Sequence, residues 1–138
     1  MSRNRFLVAS QTPKQQFTDW LLRLSVAGVF LAIGLEKFAA GHAGQEWVTL
    51  FNRLGLGQWF RYFTGVVEAL GGILMLVPRA TLTGAGLLAC TMIGAIAAHL
   101  FVLGDPFAGI IPAVLLGIVV AITLKLRAEP DEPTHLDL

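Results

Sequence analysis

Polar positions crowd the two ends of the chain, and four apolar segments fill the middle, at residues 17–38, 59–77, 80–103 and 107–124. Each is close to the roughly 20 residues a helix needs to cross a hydrocarbon layer about 30 Å thick. The third carries one ionisable group besides Cys90, namely His99, and the fourth carries none. The alternation expected of barrel strands is absent. Backbone in lipid must satisfy its own hydrogen bonds, so the pattern predicts four transmembrane α-helices. Pro78 and Arg79 separate the second and third segments, and Gly104, Asp105 and Pro106 the third and fourth. Turns this short make consecutive helices antiparallel neighbours.

The first connection is longer. Within it Trp47, Leu50, Phe51 and Leu54 recur at i, i+3, i+4 and i+7, one face of a short amphipathic helix. The predicted fold is therefore all-α: an integral membrane four-helix bundle with a short amphipathic helix in the loop between helices 1 and 2. Residues 1–16 read as a cytosolic N-terminal tail, 17–125 as the membrane domain and 126–138 as a disordered acidic tail. Lysines and arginines flanking the spans favour one side. Arg3, Arg5, Lys14, Arg79, Lys125 and Arg127 face Lys37, Arg53 and Arg61. That bias predicts that both termini are cytosolic.

Composition narrows the class further. Apolar residues make up 55% of the 138 positions and charged residues only 14%, whereas an average soluble domain carries about 25% charge. A soluble fold this small would lack the polar side chains to cover its surface. The net charge of +1 supplies no footprint for nucleic acid. Cys90 is the only cysteine, which excludes an internal disulfide and a CxxC redox pair. No P-loop, GxGxxG or metal-ligand spacing is present, so neither a nucleotide engine nor a metal site is expected.

Candidate chemistry lies where charge enters apolar sequence, because such residues are functional by default. Glu68 is mid-span, with Gly65 and Gly72 at i−3 and i+4 on the same face, which points the carboxylate into the bundle. Arg23 and Lys37 share one face of helix 1 with Ala27, Phe30 and Gly34, while Glu36 points away. The antiparallel arrangement puts Glu68 between the two cations in height, which predicts an Arg23–Glu68–Lys37 network with arginine the better carboxylate partner. Such a network either handles ligands and protons or fixes helix register. His99, near the end of helix 3, has Ala95, Met92 and Thr91 on its side and either hydrogen-bonds a ligand carbonyl or closes an interhelical bond. Trp47, Phe51, Trp59, Phe60, Tyr62 and Phe63 gather at one mouth, as an interfacial belt or as a lid over a flat lipophilic ring.

The runs 23–30 and 34–38, then Leu54-Gly55-Leu56-Gly57, Thr64-Gly65-Val66-Val67-Glu68, Gly71-Gly72 and Pro78, together resemble the DoxX family of small bacterial and archaeal membrane proteins. The resemblance covers roughly residues 17–125. It implies a redox-associated membrane module in the bacterial inner membrane, with Arg23, Lys37 and Glu68 at the family's characteristic polar positions. Fold alone does not carry function with it.

The resulting expectation is an accessory subunit of a quinone-linked, thiol or sulfur redox system. Glu68 and His99 would carry the chemistry. Arg23, Lys37, Trp47, Phe51, Trp59 and Phe63 would line a lipophilic pocket. No intrinsic cofactor is expected, a quinone is the exchangeable ligand, and a partner subunit holds the redox centre. The alternatives are a small proton-coupled exporter and a non-catalytic scaffold. The fourth segment is apolar all round and faces lipid or a second copy of the chain.

Overall fold

The structure is a computed structural model that describes residues 12–128. Four long helices form the bundle: α1 (Pro13–Glu36), α3 (Gln58–Leu76), α4 (Thr81–Ala97) and α5 (Ile110–Ala128). The amphipathic helix α2 (His42–Arg53) lies between α1 and α3. The described chain contains no strand. Helix α1 begins inside the expected N-terminal tail and α5 ends inside the expected C-terminal one. Pro13, already set at a helical φ, starts α1 inside the first, and the Gln15 side chain accepts a hydrogen bond from the Thr12 backbone N–H at 2.9 Å. Helix α5 runs through Lys125 to Ala128. Residues 1–11 and 129–138 of the two expected tails lie outside the described residues.

Three helical stretches are long and apolar enough to cross a membrane: Pro13–Glu36, Pro78–Leu103 and Ile110–Ala128. The fourth expected span, α3, carries Arg61 and Glu68 within 19 residues and is less apolar for that reason. It nevertheless packs antiparallel along its length between α1 and α4. Its large exposed residues, Val66, Leu70 and Ile73 among them, fall on one stripe turned away from both neighbours. The chain is a helical membrane protein. Its apolar outer surfaces, including most of α5, are surfaces for lipid.

Glycine sets the spacing of the central three helices. A Cβ on Gly34 would lie 2.7 Å from the Gly65 carbonyl oxygen, and one on Gly65 would lie 2.8 Å from that of Gly34. The opposite side of α3 repeats the device: a Cβ on Gly84 would lie 2.8 Å from the Gly71 carbonyl oxygen. Small residues let backbones approach closely where lipid supplies no hydrophobic drive between helices. Around these contacts Val26, Phe30, Met75, Ala85, Leu88, Met92 and Val119 form the apolar core.

The end of the third span differs from a regular helix. Residues Ala98–Leu103 widen to π-helical spacing, and Gly104, at φ 66°, stops them while the Asp105 N–H donates to the His99 carbonyl. The turn before α5 is longer than expected, so α5 starts at Ile110 rather than 107. Pro112 sits in its first turn, where a missing N–H leaves no helical bond unmade.

A candidate site at the α2 end of the bundle

Lys37 and Glu68 meet as a buried ion pair, each 3% exposed, with Lys37 Nζ donating to Glu68 Oε2. Lys37 caps the C-terminus of α1, and Glu68 is on the stripe of α3 that also holds Arg61, Gly65, Gly72 and Met75. The glycines at 34 and 65 bring the two backbones together one turn from the pair. A lysine stem can therefore lie across α3 and deliver its ammonium to the carboxylate.

The amphipathic helix covers this pair. It begins at His42, behind Gly41, whose φ of 82° favours glycine. Phe51 is buried, while Trp47, Leu50 and Leu54 are half-buried on the same face. The Trp47 ring lies over Lys37, with Nζ 4.8 Å from its centroid. A ring face attracts a cation without consuming its hydrogen-bonding capacity. From Trp47 an aromatic chain runs through Phe51, Phe60 and Phe63 at centroid distances of 6.5, 6.0 and 5.9 Å, and Trp59 packs edge-on against Phe60 at 5.4 Å. Trp59 and Phe63 also present much of their surface outward. The structure thus gathers Lys37, Glu68, Trp47, Phe51, Trp59 and Phe63 at one end of the bundle.

Arg23 is not among them. Its guanidinium Nη1 donates to the Met75 carbonyl at 2.8 Å and to the Thr81 hydroxyl, at the opposite end. Register explains the correction to the expected three-membered network. Gly34 is level with Gly65 and Ala69, and Ala27 with Gly72. Arg23 therefore lies eleven residues of α1, about 16 Å, below the level of Glu68, farther than its side chain reaches. There it closes the last turn of α3, whose free carbonyls favour a cation, and ties α1 to the start of α4. Replacing Arg23 with methionine should cost about 1.5–3 kcal/mol, the range for a hydrogen bond from a charged group. Thermal unfolding in detergent measures this; an unchanged transition would show that the clasp contributes nothing.

His99 shares no hydrogen bond with the ion pair. It is half-buried in the π-helical stretch, against Gly109, and its Nδ1 is buried with no hydrogen-bond partner among the described residues. An open cleft of about 450 Å³ is lined by His42, Gln45, Glu46, Thr49, Leu50 and Arg53, on the polar side of α2. It touches neither member of the pair.

The residue that reading the sequence passed over is Arg61. Counted there only as a flanking charge, it is 5% exposed and lies two turns from Glu68 on the same face of α3. The i, i+7 spacing from Arg61 to Glu68 was the available signal.

Comparison with known proteins bears on the whole bundle. The model of the DoxX-like family matches residues 21–122, which span all five helices in whole or part. No curated protein and no solved structure matches the chain.

Proposed function

The chain belongs to the DoxX-like family, and from that premise we propose that it serves as an accessory subunit of a membrane redox system, seating a flat lipophilic ring of the quinone class at the α2 end of the bundle. The observation that carries this reading is the buried Lys37–Glu68 pair beneath the Trp47 ring. A carboxylate and an ammonium held together out of water can pass a proton or hydrogen-bond a carbonyl without reorganising solvent. Trp47 and Phe51 supply flat apolar surface beside them, and Trp59 and Phe63 continue it onto the outer face of α3. His99, with its open Nδ1, is the second group proposed to face a ligand oxygen. Electrons would enter through a partner subunit. The flanking Lys and Arg bias supports a bacterial inner-membrane orientation with both termini cytosolic.

Tryptophan emission of the protein in nanodiscs, titrated with a short-chain ubiquinone, tests the reading. Saturable quenching that weakens at least tenfold in Glu68→Gln is the expected result. Linear, non-saturating quenching that is the same in both proteins would remove the quinone seat. A proton-coupled exporter is the second reading, favoured by the burial of a carboxylate in α3. Stoichiometric proton release on adding a lipophilic cation would support it instead.

A further inference from the structure

The Lys37–Glu68 pair is neutral as a unit, and the other buried carboxylate oxygen among the described residues, Asp19 Oδ1, lies one turn from Arg23 on α1, toward the opposite end of the bundle. Arg61, two turns nearer the start of α3, therefore brings a whole positive charge with no internal counter-ion. Its Nη2 donates to the Tyr62 hydroxyl at 2.7 Å, and the guanidinium carbon lies 4.4 Å from the centre of that ring. Nε and Nη1 are buried and have no partner among the described residues. One turn earlier on the same face, Gln58 donates from Nε2 to the Val48 carbonyl at 3.1 Å and to Asn52 Oδ1 at 2.8 Å. Those two acceptors fix the amide's orientation and leave its Oε1 buried without a donor.

An arginine cannot escape burial by losing its proton. A buried charge left unpaired is strongly unfavourable, so open donors on a buried guanidinium call for an anion from outside the chain. The open acceptor one turn away calls for a hydroxyl on the same molecule. Trp59, Tyr62 and Phe63, on the neighbouring positions of α3, are exposed, an aromatic band of the kind that lies at headgroup depth in a bilayer. Phosphate is the anion abundant at that depth, and basic pockets between membrane helices take anionic headgroups. The exposed stripe continues down α3 through Val66, Leu70 and Ile73, round the helix from the Arg61 backbone, and Tyr62, whose ring carries the guanidinium, links the two, so an acyl chain can lie on that stripe.

We propose that Arg61 and Gln58 form a binding site for the headgroup of an anionic glycerophospholipid, Arg61 donating to phosphate oxygens and Gln58 Oε1 accepting from a headgroup hydroxyl. The site is separate from the Lys37–Glu68 pair, and its occupation does not depend on the redox reading.

Native mass spectrometry of the purified protein, titrated with phosphatidylglycerol, phosphatidylcholine and inorganic phosphate, tests it. The wild type should hold one phosphatidylglycerol at least tenfold more tightly than phosphatidylcholine, and Arg61→Gln should abolish that preference. Millimolar inorganic phosphate should not displace the lipid, because the acyl chains contribute to its binding. Where Arg61→Gln does not fold, Arg61→Lys decides, since it keeps the positive charge and leaves the Gln58 bonds to Val48 and Asn52 in place but removes the open guanidinium donors. Its expected result is a weakened preference with the fold retained. Equal affinity for the two lipids in the wild type, or an undiminished preference in the folded variants, would overturn the proposal. Ready displacement by inorganic phosphate would assign the site to a soluble anion and overturn the lipid.

Discussion

Glu68→Gln and Lys37→Met should each cost the bundle about 3–5 kcal/mol, and the two together should cost far less than their sum. The reason is what each single change leaves behind. Both partners are 3% exposed, so removing one strands the other without water or counter-charge. Removing both leaves a neutral space between α1 and α3 that apolar and amide groups can fill. A double-mutant cycle on reversible unfolding in micelles reads the coupling directly. Strict additivity would mean that the contact contributes nothing. The companion cycle, Arg23→Met with Glu68→Gln, should be additive, because Arg23 bonds to Met75 and Thr81 and not to Glu68.

The second large effect belongs to a residue with no side chain. Gly34→Ala drives a methyl to 2.7 Å from the Gly65 carbonyl and 3.1 Å from the Ala69 nitrogen, both rigid backbone. At Gly65 the added carbon meets the Gly34 carbonyl and the Phe38 ring at 2.8 Å. Neither helix can yield locally, so α1 and α3 must separate, and the cost should reach at least the upper end of the usual overpacking range, about 3 kcal/mol. Separation also draws Lys37 away from Glu68, so the quenching by quinone expected of the wild type should weaken in Gly65→Ala. Alanine at Gly28, Gly86, Gly94 or Gly117 meets nothing within 4 Å. Those changes should leave stability unchanged or raise it by up to about 1 kcal/mol, the helix-propensity gain over glycine. Equal loss at buried and open glycines would refute the packing account.

Much of this architecture was legible because the bilayer imposes length and hydropathy on each crossing. The four segments, the amphipathic face of Trp47, Leu50 and Phe51, and the inward stripe of Ala27, Phe30 and Gly34 all followed from spacing. The identity of the cation beside Glu68 did not. A 3.6-residue period gives the face on which Arg23 and Lys37 lie, but the axial offset between two helices depends on which glycines meet, and that is a pairwise fact. Arg61 was missed for a related reason. Near a helix start, a charge usually escapes to the interface, and only the neighbours folded over it decide otherwise. The widening at Ala98–Leu103 has no sequence signal that periodicity can detect, since His99 is the one polar position in an otherwise apolar run.

The glycine contacts on both sides of α3 also bear on how the molecule can move. Because α1, α3 and α4 interlock backbone to backbone, sliding one past another would have to lift carbonyls over carbonyls, so the trio is a single rigid body. Helix α5 meets α4 through side chains and has no such ratchet. Any slow rearrangement in the bilayer therefore belongs to α5 or to the covering helix α2, leaving the buried charges unmoved.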